Sequence, residues 1–339
     1  MDAVSGCFRY EPASSTVPGV YHVTLTVKNT SLSKPATFEF EIRVANRVSE
    51  VIHGVDPSID AYPLTVGVTV DPEMIVPSAD GGWSLSVKGL PSGLAYVNGA
   101  VTGIPTKAGD YTVTVTATTG KGASKRTETA TFTLRIESFP AQLVGSYSGL
   151  AYDELGDAGS FSCTVSPRGK ISAKVKFADR NMTFSKIAGS SYIDGVVRAV
   201  LEGTGGAALE LALDAEVGWE DWQLSGEAVI GGRVCALRAQ RNPYGAKDGV
   251  EEARSELREL VGTFALGDGL KLKVSAEGSA TLSGKYDGKA ISGTSILQYD
   301  DGGFGVNFVI FRSKTETIVI RIRFEEDRFV IDSIDRHII

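Results

Sequence analysis

GLPSGLAYVNGAVTGIPTKAGDYTVTVTAT, residues 89–118, decides the fold. Tyr111, Val113, Val115 and Ala117 alternate with Thr112, Thr114, Thr116 and Thr118, the period of two expected of a half-buried strand. Pro105 presets a bend and Gly109 opens positive φ, so the chain can turn sharply into that strand. Asn98-Gly99 is a tight-hairpin signal between Leu94-Ala95-Tyr96-Val97 and Ala100-Val101-Thr102. Hairpin, corner and long strand are the parts of a β-sandwich, and the stretch predicts an all-β chain.

Three spaced motifs here, Leu90-Pro91-Ser92-Gly93-Leu94, Gly103-Ile104-Pro105-Thr106 and Ala108-Gly109-Asp110-Tyr111, together resemble the Ig-like repeats of bacterial surface proteins, relatives of cadherin-like and dystroglycan-type modules. The likeness covers about residues 50–138 and extends in part to residues 1–48. It implies an Ig-like sandwich and a cell-surface setting. It implies no catalytic residue, because the signature positions of that family are structural.

Working outward, residues 1–48 read as the back half of another repeat. Pro18-Gly19-Val20-Tyr21 mirrors Ala108-Gly109-Asp110-Tyr111, and Phe38-Glu39-Phe40-Glu41-Ile42 mirrors Phe132-Thr133-Leu134-Arg135-Ile136. The front strands are missing, so the chain is expected to be a C-terminal portion of a longer protein. Residues 49–138 are the full sandwich, and Phe139-Pro140 is a short stiff linker.

Residues 140–339 carry a different internal repeat. Val144-Gly145-Ser146-Tyr147 matches Val261-Gly262-Thr263-Phe264, and Val165-Ser166-Pro167-Arg168-Gly169-Lys170 matches Val274-Ser275-Ala276-Glu277-Gly278-Ser279. The first copy holds extra residues, assigned to a loop around Tyr152-Asp153-Glu154-Leu155-Gly156-Asp157. The halves, about 140–247 and 261–339, read as roughly fifteen short antiparallel strands forming an internally duplicated barrel or meander, closed or nearly so. One helix is expected at about 249–260, with Val250, Ala253, Leu257 and Leu260 on its apolar face and Asp248 with Glu251 as a capping box. The Gly-x-Tyr/Phe strand starts and the meander resemble, loosely, calycin-like barrels of secreted bacterial proteins.

The net charge of −7 disfavours nucleic-acid binding, which wants a basic face. No apolar run is long enough for a transmembrane helix. The first residues, MDAVSGCFRYEP, lack the basic flank and apolar core of a signal peptide, so an export signal would lie upstream. The three cysteines make no disulfide scaffold; Cys163 and Cys235 read as buried thiols, with a Cys163–Cys235 bridge as the alternative.

Catalytic motifs are absent from the sequence. His22, His53 and His337 do not cluster, and Gly203-Thr204-Gly205-Gly206 leads into an alternating strand rather than a phosphate-holding helix. Carboxylates gather in turns, as solvated residues or, at Asp153/Asp157 and Asp300/Asp301, as weak calcium candidates. Trp222 reads as core. Trp219, with Glu220 and Asp221 in a turn-like setting, and Tyr152 read as exposed groups suited to stacking on a sugar and bonding its hydroxyls. The expectation is a non-enzymatic, secreted or cell-surface modular protein. Its Ig-like spacers would present a barrel that binds carbohydrate or another surface component. The alternatives are a purely structural or adhesive protein, or a barrel enclosing a small hydrophobic ligand.

Overall fold

The computed structural model describes residues 19–27, 36–44, 48–58, 62–221, 223–245, 249–267, 269–300 and 303–338. Two compact units divide the chain, Met1–Ser138 and Phe139–Ile339.

The first unit holds strands β1 Gly19–Val27, β2 Ala36–Val44, β3 Ile52–His53, β4 Pro63–Thr65, β5 Ser78–Ala79, β6 Ser84–Lys88, β7 Leu94–Val97, β8 Ala100–Gly103, β9 Gly109–Thr119 and β10 Arg126–Glu137. β4, β10, β9 and β6 make a four-stranded sheet, in which β4 runs parallel to the end of β10. β3–β5 and β7–β8 form two small ladders. The alternation in 111–118 does what period two requires: Val113, Val115 and Ala117 are fully buried, as are Phe132 opposite Val113 and Leu134 opposite Tyr111. Each such large side chain contributes about 1.5–3 kcal/mol by leaving water.

Asn98 (φ 53°) and Gly99 (φ 87°) make the expected primed turn. Gly93 and Gly103 are required by close backbone approach. A Cβ on Gly93 would sit 2.0 Å from the Ile104 carbonyl oxygen, and one on Gly103 would sit 2.1 Å from that of Gly93. The β1–β2 hairpin repeats the register of β9–β10, with Tyr21 opposite Ile42 as Tyr111 is opposite Leu134. Phe40, paired with Val23, therefore takes the place of Phe132, which is paired with Val113. This corrects the sequence match, which had placed Phe38 there.

The second unit begins with β11 Gly145–Asp153, β12 Ala158–Val165, β13 Ile171–Lys176, β14 Asn181–Ile193, β15 Val196–Gly203, β16 Ala208–Asp214, β17 Gln223–Ile230 and β18 Arg233–Arg241. Helix α1 Glu251–Leu257 follows, then β19 Gly262–Gly267, β20 Leu270–Val274, β21 Ser279–Tyr286, β22 Lys289–Ile296, β23 Gln298–Asp300, β24 Gly303–Phe311, β25 Glu316–Glu325 and β26 Arg328–Ile338.

The first half alone closes an eight-stranded barrel, β11 pairing with β18. The second half arranges its eight strands as two four-stranded sheets around a separate core, so the halves build two bodies rather than one shared barrel. Their kinship survives in the turns. Ser166 and Ser275 each accept a backbone bond from a glycine three residues on, at 2.9 and 3.0 Å, and each hydroxyl caps the residue after it, at 3.0 and 3.1 Å.

The barrel interior is filled. Phe161, Phe184, Leu201 and Leu209 are fully buried beside Ala151, Ala173, Ala199 and Ala228. Large residues set against small ones are how the interior of an eight-stranded barrel is filled by side chains. Cys163 and Cys235 are free, buried thiols. Cys163 pairs with Tyr147 and Cys235 with Asp153, six residues apart along β11. At about 3.3 Å per residue this is about 20 Å, far beyond a disulfide's reach.

The helix starts later than expected. Its N-cap is Val250, with no side-chain cap bond, and Asp248 of the expected capping box lies outside the described residues. Ala253, Leu257 and Leu260 are buried in the core of the second half, which they cover.

Candidate functional site

The two halves of the second unit meet along a polar seam. In the barrel, alternate residues of β11, β17 and β18 point outward. The end of β18 breaks the pattern, because Ala239, Gln240 and Arg241 are all buried. Gln240 belongs to the outer face and is covered by the second half: its Nε2 donates to the Tyr299 carbonyl, and its Oε1 accepts from the Tyr299 N–H at 3.0 Å. Gln298 Nε2 donates to the Ser148 carbonyl at 3.0 Å, and Asn307 Nδ2 donates to Gln298 Oε1 at 2.8 Å. Arg321 Nη2 donates to the Tyr152 hydroxyl at 2.6 Å and holds Asp335 through Nη1. Gly278 completes the seam, since a Cβ there would fall 2.2 Å from the Tyr244 ring.

Along this seam runs a cleft of about 270 Å³, lined by Tyr152, Gln223, Arg238, Gln240, Gln298 and Asn307 with Ala236 and Gly149. Among the described residues no Asp, Glu, His or Cys lines it. The seam bonds leave several polar groups over. Gln223 and Arg238 are exposed, and their side chains make no hydrogen bond or ion pair among the described residues. The Tyr152 hydroxyl accepts from Arg321 and keeps its own proton to donate, and Asn307 Oδ1 is an open acceptor. Donors and acceptors around small side chains suit a hydroxyl-rich ligand.

The sequence-chosen residues fall as follows. Tyr152 is in the site, but at the end of β11 rather than in an inserted loop. Trp219 lies in a 3-10 turn, Trp219–Asp221, that leads to Gln223. Its ring is half-buried against Tyr299, centroids 5.6 Å apart, and packs on the second half's core; the expectation of a free surface ring is corrected. Glu220 and Asp221 are exposed and do not line the cleft. Trp222, Asp301 and the side chain of Asp300 lie outside the described residues.

Asp153 is no solvated turn residue. Its side chain has 0% exposure and accepts from Arg180 at 2.5 Å, Arg233 at 3.2 Å, and the Leu155 and Asp157 N–H groups at 3.0 and 2.9 Å. Burial pushes its pKa up, but these bonds outweigh that and hold the carboxyl below the ordinary value. Asp157 adds a second carboxylate 3.6 Å from Arg233. A cation at Asp153/Asp157 would have to displace both guanidinium groups. Among the described residues no three His, Cys, Asp or Glu converge as a metal set.

Gln223, Arg238, Gln240, Gln298 and Asn307 escaped the sequence reading. Their only signal is outward position on strands of the duplicated unit, shared by many surface residues.

Residues 51–137 match the family model described as "Putative Ig domain", so this stretch is similar to that family. A search of curated proteins found no match to the chain. The second unit holds a closed eight-stranded barrel, and no comparison shows the calycin-like resemblance. The chain is therefore modular, an Ig-like domain followed by a β-barrel unit. Among the described residues no helix is long and apolar enough to cross a membrane.

Proposed function

We propose that this is a non-enzymatic modular protein of the cell surface or the extracellular space, whose C-terminal unit binds carbohydrate in the cleft between its two halves. The observation that carries this reading is the lining of the cleft. It combines amide, hydroxyl and guanidinium groups with small side chains, and among the described residues it holds no carboxylate pair or nucleophile–base pair. Hydrolysis of a glycosidic bond needs two carboxyl groups across a cleft, and none lines this one among the described residues. The Ig-like stretch supports an extracellular setting by its family likeness, and serves as a spacer in series with the binding unit.

The structural reading keeps one observation in its favour: Gln240, Gln298 and Asn307 spend hydrogen bonds on fastening the halves together. A glycan-array screen of the full chain, followed by calorimetry on any hit, separates the two. Carbohydrate binding predicts a saturable hit that Gln223→Ala and Arg238→Ala each weaken at least about tenfold, about 1.4 kcal/mol, with unchanged circular dichroism and no sugar released. A flat array from folded protein favours the structural reading.

A further inference from the structure

The cleft does not stop at its own walls. On the barrel's outer face, Ser225 lies two residues from Gln223 and pairs directly with Arg238. It opens onto a second depression of about 510 Å³, bounded by Arg198, Glu210 and Glu227 and floored by Ala212 and Ser225. On the other side, Gln298 and Asn307 are shared with a third depression of about 490 Å³ that runs past Gly303 and Gly305 to Arg323.

The register orders the charges. Arg198, Ala212, Ser225 and Arg238 form one row across β15, β16, β17 and β18. Val200, Glu210, Glu227 and Ala236 form the next row. Two residues along a strand separate the rows by about 7 Å, and three strand spacings separate Arg198 from Arg238 by about 14 Å. Arg198 and Arg238 thus stand at the two ends of one row with the small Ala212 and Ser225 between them, and Glu210 and Glu227 stand side by side in the adjacent row. Neither Arg198 nor Arg238 has an ion-pair partner among the described residues, and Glu210 stands directly opposite Glu227, a like-charge pair that costs stability.

We propose that the cleft is the middle of a trough for a linear acidic polysaccharide. The ligand's carboxylates or sulfates lie on Arg198 and Arg238, and its hydroxyl groups lie on Glu210, Glu227, Gln223 and Tyr152. A guanidinium fork pairs with a planar carboxylate through two parallel bonds, which Lys would not reproduce. This inference rests on the carbohydrate reading of the cleft and adds charge and length to it.

The test is calorimetry on the full chain in 150 mM salt, with galacturonic acid oligomers of one to six residues, polygalacturonate, dextran sulfate, neutral dextran and xylan, and duplex DNA. The expected result is binding of acidic polysaccharide that strengthens with chain length. Arg198→Gln should weaken the hexamer at least tenfold and leave the dimer unchanged, while Arg238→Gln weakens both. Whether galacturonate or dextran sulfate binds tells which acid group is taken. Neutral polymers bound as tightly as acidic ones, or a monomer bound as tightly as the hexamer, would overturn the inference and leave the carbohydrate reading standing. Equal binding of DNA would overturn it as a general polyanion effect. No binding of any saccharide would remove the carbohydrate reading and the inference with it.

Discussion

Asp153 has no exposed side-chain surface and sits between Arg180 and Arg233 at the end of β11. Asp153→Asn would leave two guanidinium groups short of their partner, a loss of about 3–5 kcal/mol for a buried pair, read as a lower urea midpoint. The pH dependence has a definite sign. The folded pKa is depressed, so the contribution is whole above the unfolded value of about 3.9 and is lost as pH falls through the folded value. Wild type should therefore lose stability below about pH 4 more steeply than Asp153→Asn. Cys163 runs the other way: burial pushes its thiol up to about 12. Its contribution is whole below the unfolded value of about 8.5 and fades as pH rises above it. Native protein should leave Cys163 unreacted with a thiol reagent at neutral pH, and denatured protein should expose it. Sequence marked Cys163 as buried because its strand neighbours are apolar. It misplaced Asp153, because the residues that bury it, Arg180 and Arg233, are distant along the chain.

Helix α1 shows what an element contributes. Ala253 and Leu257 lie in the same core as Leu272, Phe308 and Ile320. Leu257→Ala should cost about 2–5 kcal/mol, seen as a lower thermal midpoint of the second unit, whereas Glu256→Ala on the exposed side should change little. A midpoint shift of equal size for both would show that the helix does not cover the core. Elements of this kind were legible because their signals are local: period two in 111–118, Asn98-Gly99, and the helical spacing of Val250, Ala253, Leu257 and Leu260. The matching turns at Ser166 and Ser275 were legible too, as a repeated string. What the string did not carry was closure. The pairing of β11 with β18 joins Tyr147 to Arg241, a contact that no local pattern encodes. Once that pair closes the first half, the second half must build its own core.

At the scale of the molecule, the chain sets an Ig-like domain in series with a two-bodied β unit, and the proposed binding site lies at the junction of those two bodies. The cleft draws Tyr152 from β11, Gln223 from β17, Arg238 from β18 and Asn307 from β24. These residues meet only after both halves have folded and docked, which is why the site was hardly legible. Tyr152 was picked as an aromatic, while Trp219 supports the junction through Tyr299 instead of facing the cleft. The most direct measurement is hydrogen–deuterium exchange on the full chain with and without a saccharide found to bind. The cleft reading predicts protection concentrated in 223–241 and 298–307, with 62–137 unchanged. Protection confined to 62–137, or spread with no focus on the junction of the two halves, would contradict it.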